Sequence, residues 1–137
     1  MSQKLATQVV GNIGLYYVCY QLSKRGWNVL PTSRNARGID LVIYDQVGRR
    51  RHTIQIKSLS QRSPVPFSKD LKDLVPADFL IICRSVMEEK PEIFITTFDE
   101  LEGRMHVGEK NGKKSYWLWP KYYEEYKDRW EKIGSGI

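Results

Sequence analysis

Asp40 and the run Gln55-Ile56-Lys57 are the residues of this sequence best suited to chemistry. Asp40 offers the charged oxygen that a hard cation such as Mg²⁺ requires, and Gln55 and the backbone of Ile56 can each add a neutral carbonyl oxygen. Lys57 lies on the Gln55 side of its strand. There it can hold or help deprotonate an attacking water and stabilise charge developing on phosphorus. An acid, a neutral oxygen and a lysine at this spacing suit hydrolysis of a phosphodiester, with the substrate phosphate completing the cation's shell.

A hairpin has to position these groups. Ile39 to Tyr44 and Arg51 to Lys57 read as two strands, joined by a turn over Asp45 to Arg50 that contains Gly48. If the strands pair residues whose numbers sum to an odd value, Leu41, Ile43, Ile54 and Ile56 share one face. Asp40, Val42, Gln55 and Lys57 then share the other. A one-residue slip would bury charge beside isoleucines, so the hydrophobic pattern fixes the register that gathers the polar residues.

Upstream, Ala6, Val9, Val10, Ile13, Tyr17 and Tyr20 recur at helical spacing over about Leu5 to Lys24, and Gly26 supplies a stop. A short strand from Trp27 to Leu30 and a polar loop from Thr32 to Gly38 follow. Downstream of Lys57 the sequence predicts a loop to about Phe67, a short helix around Lys69 to Leu74, and a buried strand over Phe79 to Cys83. It then predicts a strand over Ile93 to Thr97, a loop from His106 to Lys114, an edge strand over Tyr116 to Trp119, and a last helix from Pro120 to about Lys132. Residues 134–137 read as a flexible tail. Gly11-Asn12-Ile13-Gly14 falls inside the first helix and so is no phosphate-binding glycine loop.

The stretches Gly11-Asn12, Gly26-Trp27-Asn28-Val29, Gly38-Ile39-Asp40-Leu41-Val42 and Ile54-Gln55-Ile56-Lys57 resemble the core of the PD-(D/E)XK nucleases. The likeness is to variants with Gln-x-Lys in the second half of the motif, as in Mrr-type restriction nucleases and some small homing nucleases. Holliday-junction resolvases show a comparable helix–strand–hairpin order. The resemblance implies an α/β restriction-endonuclease-like fold, a mixed central sheet flanked by helices, and cleavage of DNA phosphodiesters dependent on Mg²⁺ or Mn²⁺. Asp40, Gln55 and Ile56 would hold the metal, with Lys57 catalytic. This sequence departs from the family's pattern twice. Gln55 stands where an acid is usual, and Asn12 stands where many members place a glutamate on the first helix. Asn12 is either an orienting catalytic amide or a helix-surface residue.

The charge distribution agrees with a polyanionic partner. Of the formal net charge of +6, residues 21–72 hold eleven Lys or Arg against three Asp, whereas residues 73–137 hold ten basic and thirteen acidic residues. Arg49-Arg50-Arg51 at the hairpin turn are candidates for the DNA backbone. Arg34 and Arg37 before Asp40, and Ser58 and Arg62 after Lys57, either touch DNA or are simply solvated. The tyrosines and tryptophans after residue 115 suit base stacking, core packing or a subunit contact.

At 137 residues, 41% hydrophobic and 28% charged, the chain fits one domain over 1–133. No apolar run reaches membrane-span length, and the first residues do not read as a signal peptide. Cys19 and Cys83 lack partners at metal-ligand spacing and suit a reduced cytoplasm. One site reaches one strand, so duplex cleavage would call for a homodimer or larger assembly. The rival expectation is a nuclease-like fold that has lost its chemistry and binds nucleic acid or another protein.

Overall fold

The computed structural model describes residues 4–33 and 38–137. Helix α1 (Thr7–Lys24) forms from the predicted stretch and buries Gly14, Val18 and Leu22, a stripe at i, i+4 and i+8. It ends as expected at Gly26, whose φ of +92° suits glycine, with the Trp27 N–H returning to the Leu22 carbonyl at 3.2 Å.

Five strands make the central sheet: β1 (Asn28–Pro31), β2 (Leu41–Tyr44), β3 (Arg51–Leu59), β5 (Phe79–Arg84) and β6 (Glu92–Thr96), in the order β1-β2-β3-β5-β6. The β2–β3 register pairs Leu41 with Ile54 and Ile43 with His52, the odd-sum pairing that the alternation of apolar residues demands. β3 and β5 run parallel while the other pairs are antiparallel, so the sheet is mixed. β5 is buried along its whole length, as a continuous apolar run in a central strand should be.

Two cores lie on the two faces of the sheet. Val18, Leu22, Trp27, Leu41, Ile43, Ile54 and Ile81 pack together on the α1 side, with Ile56 against them. Leu59, Val65, Phe67, Leu80, Ile82, Phe94, Leu118 and Tyr123 form the other core.

The sequence predicts a mixed sheet flanked by helices, and the mixed sheet forms with helix α1 beside it. α1 is the only α-helix among the described residues; the second face is covered by a small sheet and 3-10 turns. That small sheet has the order β4-β8-β7, from β4 (Val65–Phe67), β7 (His106–Lys110) and β8 (Lys113–Leu118). β4 and β7 both fall in stretches the sequence predicts as loop. The predicted helices around residues 69–74 and 120–132 are instead the isolated 3-10 turns Leu71–Asp73, Pro120–Tyr122, Glu124–Tyr126 and Trp130–Lys132. Residues 134–137 are docked. Gly136 donates to the Arg25 carbonyl at 3.0 Å and accepts from the Gln46 N–H at 2.8 Å, while Trp27 Nε1 donates to the Gly134 carbonyl at 3.1 Å. No helix among the described residues is long and apolar enough to cross a membrane.

Candidate active site

Asp40 lies one residue before β2, at the end of the hairpin away from the turn. Its backbone N–H donates to the Ile54 carbonyl at 2.8 Å, and its Oδ2 accepts the Ile56 N–H at 2.7 Å. These two bonds bracket Gln55. The carboxylate thus occupies the place where a further strand residue would have bonded β3, and its second oxygen stays available. A strand residue's N–H and carbonyl leave the backbone on the same side. The Ile56 carbonyl therefore leaves β3 on the Asp40 side, where the β2 ladder has ended.

Asp40, Ile56, Lys57 and Ser58 line one cavity of about 410 Å³ with Leu59 and Pro66. α1 closes it through Thr7, Gly11, Asn12 and Leu15. Lys57 is half-buried, and its Nζ stands 4.8 Å from the centre of the Phe67 ring. Burial pushes its pKa below the ordinary lysine value, and the negative charge of Asp40 pulls it part of the way back.

Gln55 is placed differently. It lines the neighbouring hollow formed by Gly38, Ser68, Lys69, Asp73, Leu74 and Val75. Its Oε1 is buried and has no hydrogen-bond partner among the described residues. An orphaned buried carbonyl costs stability unless something else satisfies it. Gln55 Oε1, the Asp40 carboxylate and the Ile56 carbonyl are all oxygens of the kind a hard divalent cation takes, but Gln55 faces a different hollow from Asp40 and Ile56. No group of three or more His, Cys, Asp or Glu side chains among the described residues could hold a metal. Asp40 accordingly stands alone as an acid in the cavity wall, and a cation there needs oxygens from a substrate as well.

The residues proposed for a polyanion divide. Arg49 and Arg51 are exposed at the hairpin turn. Arg50 is committed to the protein: Nε is 3.0 Å from Asp45 Oδ2, the guanidinium lies 5.2 Å from the Trp27 ring, and it also donates to the Ser135 carbonyl. Arg62 forms a two-point pair with Glu124 at 3.0 and 2.7 Å. The Ser58 hydroxyl serves helix–sheet packing, donating to the Gly11 carbonyl at 3.4 Å. Arg34 and Arg37 lie outside the described residues. His52 sits between Trp27 and Phe79 with ring centres 5.5 and 5.3 Å away, a packing role.

Thr7, Leu15 and Pro66 are cavity residues that sequence reasoning missed. Thr7, Gly11 and Leu15 follow i, i+4, i+8 spacing, so once Asn12 was suspected the neighbouring stripe could have been read as the cavity wall. Nothing in the sequence announces Pro66, which arrives with β4.

No protein-family model matches the chain, and no curated protein matches it. Among solved structures, the chain is similar to a bacterial homing endonuclease, I-Ssp6803I, with a TM-score of 0.64 and 19% sequence identity. The match covers 95% of this chain and 92% of that one. The fold is therefore endonuclease-like over nearly its whole length.

Proposed function

We propose that this chain is a metal-dependent endonuclease that hydrolyses phosphodiester bonds in DNA. The observation that carries the reading is the Asp40 carboxylate, fastened to the Ile56 N–H and sharing a cavity with Lys57, on an endonuclease-like fold. The similar protein is an endonuclease by name, and the basic stretch 21–72 suits a polyanion. A bound Mg²⁺ or Mn²⁺ supplies positive charge to the phosphate and eases ionisation of water. Asp40, the Ile56 carbonyl and Gln55 Oε1 are the residues that would hold it. Lys57, its ammonium destabilised by burial, orients water at Nζ, exchanges a proton more readily than an exposed lysine, and offsets charge growing on phosphorus. Asn12 stands on the cavity wall and orients water or substrate. On this reading the chain is a PD-(D/E)XK enzyme of the Gln-x-Lys variant, which Gln55-Ile56-Lys57 supports. One cavity serves one strand, so cutting a duplex takes two copies of the chain.

The test is cleavage of plasmid and branched DNA with Mg²⁺, Mn²⁺ or EDTA. Asp40→Asn keeps an acceptor for the Ile56 N–H while removing the charge, and should abolish cleavage. Activity that survives this change would remove support for the reading. A second reading, binding without cleavage, is favoured by the solitary acid in the cavity wall. It predicts tight DNA binding and intact substrate under every cation tried.

A further inference from the structure

The strand pair β7–β8 is the least self-sufficient part of the fold. β4 supports β8 only as far as Tyr116, which pairs with Phe67. Beyond it β8 runs on to Lys113, paired solely with β7. Three strand residues make an overhang of roughly 10 Å. Lys110, Lys113 and Lys114 at its tip are all exposed. A two-stranded ribbon has little core of its own and is marginal unless rigid or partnered. Its tight turn supplies rigidity: Asn111 and Gly112 have φ of +54° and +77°, the pattern that matches strand twist.

The register sorts the ribbon's two faces. Val107, Tyr116 and Leu118 lie on the face that turns to the core shared with Phe67 and Val65. The opposite face carries Lys110 with Lys113, Gly108 with Ser115, and His106 with Trp117. Trp117 in turn pairs with Pro66, which lines the Asp40–Lys57 cavity. This outer face therefore runs unbroken from the rim of the cavity to a lysine tip. It is also low. The Trp117 indole lies across Gly108, where a Cβ would come within 2.7 Å of the ring, and the His106 ring rests 4.3 Å from it.

We infer that the β7–β8 ribbon enters the major groove of duplex DNA and holds the duplex against the cavity. The identity of the polymer rests on the endonuclease reading; the ribbon's role rests on its own geometry. A two-stranded ribbon fits a groove about 12 Å wide and 8.5 Å deep, which the overhang matches in reach, whereas the minor groove is about half as wide. The tip carries three lysines against Glu109, a charge complementary to the phosphates that flank the groove. The ribbon springs from the strand neighbouring β4, so a duplex seated on it lies beside Asp40.

The test uses a labelled mixed-sequence duplex, with EDTA present to prevent cleavage. Lys110→Ala, Lys113→Ala and Lys114→Ala together should lower the log–log salt slope of binding by roughly two to three units. Lys90→Ala with Lys127→Ala, which line a hollow beside the start of β6, should leave the slope unchanged. Ser115→Cys, in mid-ribbon, should form a disulfide with a capped thiol tethered at cytosine N4 in the major groove, releasing the capping thiol. Coupling should be at least about tenfold faster than to a guanine N2 tether in the minor groove. The parent chain, with Cys83 buried and Cys19 half-buried, serves as the blank for coupling at its own cysteines. An unchanged slope in the triple variant, an equal loss in the control pair, or equal coupling to both tethers would overturn the ribbon's role while leaving the nuclease reading intact. A parent protein that neither binds nor cuts duplex would sink the nuclease reading itself.

Discussion

Gly14→Ala should damage both stability and cleavage, whereas Gly11→Ala should leave stability intact. Both glycines lie inside α1, so each alanine gains about 0.5–1 kcal/mol of helix propensity. Their surroundings differ. A Cβ at Gly11 meets nothing within 4 Å, whereas one at Gly14 would overlap the Ser58 Oγ and lie 2.8 Å from the Ser58 Cβ. Ordinary contact begins at 3.4 Å, so α1 must move from β3 by about 1 Å or β3 must yield. Overpacking of this kind costs about 1–3 kcal/mol. Because the propensity gain is common to both variants, their difference reports the clash alone, at about 2 kcal/mol. For a chain of this length that is roughly 5–10 °C in Tm, readable by thermal melts followed by circular dichroism. The displaced helix carries Gly11 and Asn12 out of the cavity wall, and a shift of about 1 Å costs on the order of a hundredfold in rate. Adding Ser58→Gly to Gly14→Ala should recover most of both losses. If Gly14→Ala melts with Gly11→Ala, the close helix–strand approach is not real and α1 does not set the depth of the cavity.

Three further outcomes follow from the site and its supports. Gln55→Glu should tighten Mn²⁺ binding measured by calorimetry without DNA, and should make the Tm depend on added metal; no change in either would show that this side chain does not meet the cation. Lys57→Ala should reduce cleavage by orders of magnitude while DNA affinity falls little, as anisotropy with an EDTA-treated sample would show; a parallel loss of binding would make Lys57 a binding residue. Glu124, held down to about 2 by Arg62 first and Arg84 next, lends stability that is complete above its ordinary pKa of 4.5 and is lost as pH falls toward 2, so urea unfolding across that range should flatten in Glu124→Gln.

How much of this was legible in the sequence depended on whether the signal was local. The alternation of Leu41, Ile43, Ile54 and Ile56 fixed the hairpin register, because burying one face of a strand leaves a period-two pattern. For α1 the recurrence of Ala6, Val9, Val10, Ile13, Tyr17 and Tyr20 marked the helix but not its buried side, since Gly14, Val18 and Leu22 are the residues it buries and Val9 and Tyr20 are exposed. β7 left no such trace. His106 to Lys110 is mostly exposed, so selection for burial never wrote an alternation there. The region after Pro120 misled for the opposite reason. Tyr123 is fully buried, but it is held by the Arg84–Glu124 cluster and by a phenol hydrogen bond to the Ser63 carbonyl at 3.0 Å, with no helix needed. The docking of residues 134–137 rests on bonds to distant segments, from the backbone of Arg25 and Gln46 and from the Trp27 and Arg50 side chains, which no local pattern encodes. In the site, the Asp40–Lys57 pairing was readable from hairpin geometry, whereas the division that leaves Gln55 in an adjoining hollow depends on how residues 68–75 cross the sheet.

The bond from the Ile56 N–H to Asp40 Oδ2 has a spectroscopic consequence. The amide is held by a side chain where strand pairing has stopped, so its exchange with solvent measures how firmly that one carboxylate is seated. In a ¹⁵N spectrum, this single resonance would respond to a cation arriving at Asp40 before any bond is cut. It would also separate an Asp40→Asn protein that is intact but inert from one whose hairpin end has frayed. A protein with one acid in its cavity thus has a built-in reporter on that acid, readable without substrate.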